Sequence, residues 1–287
     1  MRKILWIITT LAVAVAACLV GTDGFAVPLP GKRIIKASGN IITREIPIPE
    51  FDAINTSRAV KVILAEQGDK ICIDADDNVM EWVIVESEEG ELQVTIDRRI
   101  KSINNTHVTV TIPVQGRSFR ALRASSAAEI HGSQVELTGK ALLVKASSAA
   151  EIEASVKAGS CSIDASSAAD VDLTVEAATC NIEASSAAEV RAQIKSRSCT
   201  ASASSAAGIT LRGQTEYFES RSNSASKIDA SELTAQRADL TASSGSKASV
   251  NCTETLKASA SSGAGIRYSG DCRVEATKSS GGGIRRE

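Results

Sequence analysis

Hydrophobic and small polar residues alternate along most of this chain in a pattern that repeats about every 19 residues. Each repeat contains a Ser-Ser pair. The second serine of the pair stands at Ser126, Ser148, Ser167, Ser186, Ser205, Ser224, Ser244, Ser262 and Ser280. Four residues later, eight of the nine copies carry a β-branched residue, such as Ile152 or Val171, and such residues favour strands. A fixed period of this length is typical of a solenoid, in which each unit buries its apolar face only by stacking on the next.

The alternation continues on both sides of the serines, so each repeat holds more than one strand. Ala154 and Leu173 follow the β-branched column by two residues, and Ile163 and Ile182 share a column before the next serines. A period of two places alternate side chains on the inside. Nineteen extended residues trace a perimeter of roughly 60 Å at about 3.3 Å each, whereas two helices with their loops usually need more residues than one repeat supplies.

The sequence therefore predicts an all-β fold, a single-stranded parallel β-helix with rungs of about 19 residues. Parallel crossovers are right-handed in almost all proteins, so we expect a right-handed β-helix. Its interior would be narrow, which agrees with an aromatic content of only 3%. Rungs about 4.8 Å apart would give a rod on the order of 40 Å long.

The repeats cover residues 124–287, while residues 41–123 have strand-like runs without the period. Val60–Leu64 and Glu91–Ile96 are such runs, separated by turn residues such as Gln67-Gly68-Asp69. We expect residues 41–123 to form a β-rich N-terminal cap with the first coils, continuous with the solenoid. The formal net charge of the 287-residue chain is -2, which gives no electrostatic reason to expect nucleic acid or an anionic membrane surface as a partner.

The first 26 residues have the pattern of an export signal. Arg2 and Lys3 precede an apolar run from Ile4 to Val20, which is the order of charged and apolar regions in a signal peptide. The sequence thus predicts an exported protein. Residues 27–40 would then be a short tether.

Two processing sites fit this export signal. Cleavage before Cys18, as in a bacterial lipoprotein, would leave an acylated cysteine and a lipid anchor. Cleavage after Ala26 would instead use an ordinary small-residue site and release the chain. A membrane contact is expected only in the first case, through Cys18.

Several motifs in the N-terminal part, followed by the small-residue corners, resemble a known bacterial family. They are Phe51-Asp52-Ala53-Ile54, Val60–Leu64 with the Gln67-Gly68-Asp69 turn, Glu91–Val94 and Val110–Pro113. The family is that of the putative autotransporter adhesins with a head GIN domain, and the resemblance covers about residues 40 to 287. It implies an exported all-β solenoid in a surface or envelope protein, and it implies no catalytic residues. With this resemblance, the expected location is the periplasm, the outer membrane or the cell surface of a Gram-negative bacterium. Many members have glycine in the corners, whereas this chain has alanine first, as at Ala149, and glycine from Gly208 onward.

Three residues after the first corner serines stand four carboxylates, Glu129, Glu151, Asp170 and Glu189. Stacked rungs would place them about 5 Å apart, where each neighbouring pair repels by about 1 kcal/mol in water. Such a ladder could bind Ca²⁺, which takes six to eight oxygen ligands. The plainer interpretation is a solvated row beside lysine and arginine side chains, because exposed charge rows usually serve solubility.

Cys161, Cys180 and Cys199 are 19 residues apart and share one inward column. Neighbouring Cα atoms in such a column lie within the disulfide range, and export would supply an oxidising compartment. They also fit as small apolar core residues, which is the interpretation we prefer. The corner serines Ser126, Ser148, Ser167, Ser186 and Ser205 are expected to be structural, because small side chains allow a tight turn.

Neither of the two histidines, His107 and His131, stands in a catalytic motif, and no glycine-rich phosphate loop follows a strand. We therefore expect no cofactor and no catalysis, but a binding scaffold or adhesin for a surface ligand, either protein or glycan. The alternative is a polysaccharide-active β-helix enzyme that uses Ca²⁺ and a basic residue, with Arg191 or Lys195 beside the acidic ladder. Against this alternative, short rungs lack the long loops that build a cleft.

Overall fold

The computed structural model of the chain describes residues 33–104 and 107–287, and these described residues belong to one compact unit. The N-terminal strands are β1 (Arg33–Lys36), β2 (Ile41–Pro47), β3 (Ala53–Ser57), β4 (Lys61–Ala65), β5 (Lys70–Asp76), β6 (Val83–Glu88), β7 (Glu91–Ile96), β8 (Ile100–Asn104), β9 (Thr109–Pro113) and β10 (Ala121–Ser125), with one 3₁₀ turn at Met80–Trp82. The repeat strands are β11 (Glu129–Ser147), β12 (Glu151–Ser166), β13 (Asp170–Ala184), β14 (Glu189–Ala203), β15 (Gly208–Ser222), β16 (Lys227–Ala242), β17 (Lys247–Ala260), β18 (Gly265–Ser269), β19 (Arg273–Lys278) and β20 (Gly283–Arg286).

The repeats form a parallel β-solenoid, which confirms the predicted fold class. Ile152, Val171 and Val190 are register partners on successive strands and are at most 1% exposed. Residues 19 apart in the sequence are therefore neighbours along the rod axis. Where the spacing of the serines departs from 19, a register shift absorbs the extra residues, as between Gly132 and Glu136 in β11.

Each long repeat strand bends around the coil and contributes to two of its sides. In β12 the buried positions are first Ile152, Ala154 and Val156, and then Cys161 and Ile163. The buried positions change from even-numbered to odd-numbered residues near Gly159. A Cβ at Gly159 would lie 2.6 Å from the carbonyl oxygen of Lys140. Both parts of the strand have one face toward the core, which is why the alternation in the sequence appears on both sides of the serines.

The Ser-Ser corners are type I′ turns stacked on one another. In one corner Ser148 and Ala149 have φ of 56° and 59°, and the amide of Ala150 bonds to the carbonyl of Ser147 at 3.3 Å. Positive φ at both central residues defines this turn type, which normally selects glycine or asparagine. The marker serines of the other corners have the same conformation, with φ of 46–55° at Ser126, Ser167, Ser186, Ser205, Ser224, Ser244, Ser262 and Ser280.

The N-terminal segment adds coils to the same stack, but not in the order of the chain. Strands β3 and β4 pair in parallel with β10 and β11, and β7 and β9 pair in parallel with β3 and β4 on the other side. Beyond them, β6 pairs antiparallel with β7, and β5 pairs antiparallel with both β9 and β2. The solenoid thus has an antiparallel layer at this end.

One corner of the stack has no Ser-Ser pair. Arg58 and Ala59 have φ of 64° and 58°, and the amide of Ala59 bonds to the carbonyl of Ser126 at 3.0 Å. This turn joins β3 to β4 and lies directly beside the first Ser-Ser corner. The pattern of paired serines did not reveal it, because arginine occupies the marker position.

Candidate functional site

The four predicted carboxylates form one outward column on the rod. Glu129 is the register partner of Glu151, Glu151 of Asp170, and Asp170 of Glu189. All four lie at the start of their strands, immediately after the corner, and their side chains point away from the core. Because the strands are parallel and in register, a residue type that recurs every 19 positions becomes a continuous row.

Cationic side chains lie beside most of this row. Lys61 Nζ is 3.5 Å from Glu129 Oε2, and Arg191 bonds to Asp170 at 2.7 Å and also to Glu189. His131 lies between two carboxylates, with Nε2 at 3.0 Å from Glu129 and Nδ1 at 3.2 Å from Glu153. The hydrogen bond to His131 holds the pKa of Glu129 below its usual value. The row is thus a mixed ion-pair surface.

The structure brings together no cluster of metal ligands in residues 33–104 and 107–287. No three His, Cys, Asp or Glu side chains in these ranges are arranged to hold a metal ion. Calcium prefers six to eight oxygen ligands around one point. A single column of carboxylates on successive rungs, partly bonded to arginine and histidine, does not provide that arrangement.

The two basic residues considered for catalysis are both in ion pairs. Arg191 is shared by Asp170 and Glu189, and Lys195 Nζ lies 3.3 Å from Glu176. All of these side chains are substantially exposed, with 46–63% of each side chain accessible. A catalytic base or acid usually has its pKa tuned by burial in a cleft. Arg191 lies on the open sheet surface, whereas Lys195 and Glu176 line an exposed depression of about 550 Å³ with Lys157, Arg197 and Glu216.

The predicted cysteine column is present in the core. Cys161, Cys180 and Cys199 are register partners on β12, β13 and β14, and all three are buried free thiols. Hydrogen bonding to Cys180 and burial both raise the pKa of Cys161. A thiol in such surroundings is a weak nucleophile, because the thiolate is disfavoured. These residues pack as small apolar side chains.

A second pair of thiols was not apparent from the sequence. Burial and the neighbouring Cys272 raise the pKa of Cys252 to about 11. The two residues are 20 positions apart, whereas β17 pairs with β18 and β19 at an offset of 18 residues, so they do not fall in one column of the repeat pattern. The sequence signal for this pair is that the two cysteines are separated by close to one repeat length.

Small polar side chains cover the sheet face outside the cysteine column. Ser160, Thr179 and Ser198 form one outward row, and Ser162, Asn181 and Thr200 form the next. They line a shallow depression of about 380 Å³. These two rows therefore present regularly spaced hydroxyl and amide groups, and Arg120 also lines the depression.

The column of carboxylates changes character toward the C-terminus. After Glu189 its register partners are Gly208, Lys227 and Lys247, and then Gly265 and Gly283. The next outward column has Asp172 and Arg191 in the first half, and Arg267 and Arg285 in the last two rungs. One face of the rod thus runs from mainly acidic to mainly basic.

The expected export signal at residues 1–26, with Cys18, lies outside the described residues. So do positions 27–32 of the expected tether, while Arg33–Lys36 form strand β1, which pairs in parallel with β8. Among the described residues, no helix has the length and apolar character required to span a membrane.

Comparison with protein families gives a match over most of the chain. The sequence model described as "Putative auto-transporter adhesin, head GIN domain" matches residues 50–272. No significant match was found among curated proteins.

Three solved structures have the same fold over nearly all of this chain. A putative adhesin from Parabacteroides merdae ATCC 43184 is 20% identical with a TM-score of 0.64, covering 88% of this chain and 99% of its own. A putative adhesin from Parabacteroides distasonis ATCC 8503 is 17% identical with a TM-score of 0.62, covering 89% and 100%. A putative lipid binding protein from the same organism is 15% identical with a TM-score of 0.58, covering 89% and 100%. At these identities the likeness concerns the fold.

Proposed function

Since this chain belongs to the family of putative auto-transporter adhesins with a head GIN domain, we propose that it is an exported, non-enzymatic protein of the bacterial envelope or surface. In this proposal the solenoid is a rigid scaffold that binds a surface ligand, either a protein or a glycan. The names of two structural neighbours, both putative adhesins, support the proposal of a binding role.

The observation that carries the proposal is the regular display of side chains on the outer faces of the rod. Rows such as Ser160, Thr179 and Ser198 repeat one group on each rung, at the strand spacing of about 4.8 Å. A repetitive surface of this kind can meet a repetitive ligand at several points at once, and each added contact increases avidity. The rigid backbone keeps the loss of conformational entropy on binding small.

The surroundings of the basic residues favour binding over catalysis. Arg191 and Lys195 are held by Asp170, Glu189 and Glu176 on an exposed surface. The depression beside the serine and threonine rows is shallow and lined mainly by neutral side chains, with Arg120 as its charged residue. Enzymes that cleave polysaccharides enclose their substrate in a cleft with tuned acids and bases.

Export is supported by Arg2 and Lys3 ahead of the apolar run at Ile4 to Val20. We expect cleavage after Ala26, so the mature chain would begin at Val27. Expression of the full chain in a Gram-negative host, followed by fractionation and intact-mass measurement, tests this. Cys18→Ser should leave the processed mass unchanged. A diacylglycerol adduct at Cys18, lost in that variant, would instead establish a lipoprotein.

Binding is tested with cells that carry the chain on their envelope. Adherence to immobilised glycans and host-matrix proteins should exceed that of the same cells without the chain, and protease treatment of intact cells should abolish the difference. In parallel, the purified chain should release no unsaturated products from acidic polysaccharides, with or without Ca²⁺. Turnover in that assay, or equal adherence of both cell types, would contradict the proposal.

A further inference from the structure

The basic end of the rod contains a trough of about 590 Å³. Its floor includes Gly265 and Gly283, and four cationic residues border it: Lys227, Lys247, Arg267 and Arg285. Two acidic residues, Asp229 and Glu287, also line it. The trough lies on the same face as the acidic column, on the last rungs of the solenoid. We call it the basic trough.

The floor is open because glycine replaces the carboxylates of the earlier rungs. A Cβ built at Gly265 or Gly283 would meet no atom within 4 Å, and neither residue has a left-handed φ. Neither the backbone conformation nor packing requires glycine there. The missing side chains therefore have one local consequence, which is space between the surrounding cations.

Two of the four cations are not neutralised. Lys227 pairs with Asp229 at 2.8 Å, and Arg267 pairs with Glu287 at 3.2 Å. In the part of the chain that the structure describes, the side chains of Lys247 and Arg285 have no ion-pair or hydrogen-bond partner. The trough thus has two free positive charges on an exposed surface.

The arrangement also places like charges directly opposite each other. Lys227 is the register partner of Lys247, and Arg267 is the register partner of Arg285. Like charges at opposed positions of neighbouring strands destabilise a sheet. A bound anion would relieve this repulsion, because it lies between charges of the other sign.

Each of four successive rungs carries one of these cations, Lys227 and Lys247 in one column and Arg267 and Arg285 in the next outward column, and the rungs are about 4.8 Å apart. That spacing is close to the length of one sugar unit in an extended polysaccharide. We propose that the basic trough binds a linear anionic polysaccharide, carboxylated or sulfated, with its chain along the rod axis. The proposal rests on the proposed function as a binding scaffold and names its ligand class.

Other polyanions fit the trough less well. The exposed large hydrophobic side chains among the described residues are Ile34, Ile41, Ile42 and Ile63, in the N-terminal strands, so the trough has no apolar rim for insertion into a lipid surface. Single-stranded nucleic acid usually stacks its bases on aromatic side chains. The residues lining the trough include none.

The acidic half of the same face should limit how far the ligand extends along the rod. Glu151, Asp170 and Glu189 lie on the rungs that precede the trough, and they would repel a polyanion that continued along the face. The bound segment is therefore expected to occupy the last rungs only.

The experiment measures binding of the purified chain to immobilised polygalacturonate and dextran sulfate, with unsubstituted dextran as the neutral reference. The trough variant combines Lys247→Gln with Arg285→Gln. The matched control combines Arg237→Gln with Lys257→Gln, two exposed cations outside the trough that form no ion pair with any described residue. We expect binding at least tenfold weaker in the trough variant, within twofold of wild type in the control, and weaker for all proteins at high salt.

A second pair of variants tests the open floor. Gly265→Glu with Gly283→Glu restores the carboxylates of the earlier rungs, and Gly265→Gln with Gly283→Gln adds side chains of the same size without charge. Because a Cβ has room at both positions, the fold should remain, which circular dichroism verifies. Binding should be lost with glutamate and reduced less with glutamine.

Several results would overturn the proposal. They are equal loss in trough and control variants, equal binding to unsubstituted dextran, no binding to either polyanion, or stronger binding to phosphatidylglycerol vesicles or single-stranded DNA. Failure here is distinct from failure of the proposed function. If the chain promotes adherence but does not bind polyanions, only the proposed ligand class is refuted. If the chain stays in the cytoplasm, the proposal of export is refuted.

Discussion

The backbone amide of Ala149 donates a hydrogen bond to the carbonyl oxygen of Ser167 at 3.0 Å, although Ala149 has a left-handed φ of 59°. The same bond recurs from Ala168 to Ser186 and from Ala187 to Ser205. The corners are therefore part of the hydrogen-bonded ladder between rungs. The chain obtains these bonds at a conformational cost, because alanine disfavours the left-handed region.

Replacing Ala149 with glycine should stabilise the solenoid. Glycine adopts φ near 59° without steric cost, so we expect a gain of about 0.5 to 1 kcal/mol in the free energy of unfolding, reduced by the greater flexibility of glycine in the unfolded chain. Urea denaturation followed by circular dichroism measures the change.

Two controls accompany this variant. Gly263→Ala, at the same corner position with φ of 73° and no atom within 4 Å of a Cβ, should destabilise by about 1 kcal/mol. Ala150→Gly, next to Ala149 but buried and without positive φ, should also destabilise. A loss of stability with Ala149→Gly would contradict the strain argument.

Truncating one inward β-branched residue should weaken the rod more than changing its outward neighbour. Ile182 is 0% exposed, and Ile182→Ala removes buried methyl groups and leaves a cavity, which typically costs about 2 to 4 kcal/mol. Glu183→Ala, on the outer face of the same strand, should change stability by less than about 0.5 kcal/mol. Equal effects in chemical denaturation would argue against the assigned inward face.

The cysteines should differ in reactivity according to burial. Cys161, Cys180, Cys199 and Cys252 are buried, whereas Cys72 and Cys272 are partly exposed. Alkylation with iodoacetamide at pH 8 in native buffer should modify Cys72 and Cys272 first, because the buried thiols are shielded from the reagent. Peptide mass spectrometry reads the sites, and denatured protein serves as the fully reactive reference. Rapid native labelling of Cys180 would refute its place in the core.

Acid should remove stability that Asp97 contributes. Hydrogen bonds from Arg99 lower the pKa of Asp97 to about 2. A carboxyl group whose pKa is lowered by folding contributes stability above its unfolded pKa, near 4, and this contribution is lost as the pH falls through about 2. Asp97→Asn should therefore lower the urea midpoint at pH 7, and the difference from wild type should shrink toward pH 2.

Asp172 supplies a control carboxylate, since it is exposed and forms no ion pair among the described residues. Asp172→Asn should leave the urea midpoint at pH 7 close to that of wild type. A difference between Asp97→Asn and wild type that persists unchanged at pH 2 would show that Asp97 acts by something other than its charge.

The repeats could be predicted from the sequence because their neighbours in space are set by a fixed distance in sequence. Ile152, Val171 and Val190 recur every 19 residues, and in a parallel stack each side chain lies on its copy in the next rung. The same rule gave the carboxylate column from Glu129 to Glu189 and the inward cysteines. The period does not show which carboxylates form ion pairs, because the contacts of Arg191 with Asp170 and Glu189 depend on the rotamer of the arginine side chain.

By itself, then, the sequence determined the β-solenoid, its rung length and the residues that share a column, because local alternation and a constant period define both. Only the tertiary structure decided where the aperiodic N-terminal strands belong, with β3 between β7 and β10, and that Arg58 and Ala59 form a further corner. It also decided that the glycines at Gly265 and Gly283 open a trough between cations. These features depend on contacts between segments far apart in the chain. Such contacts do not follow the repeat period, so the sequence pattern does not predict them.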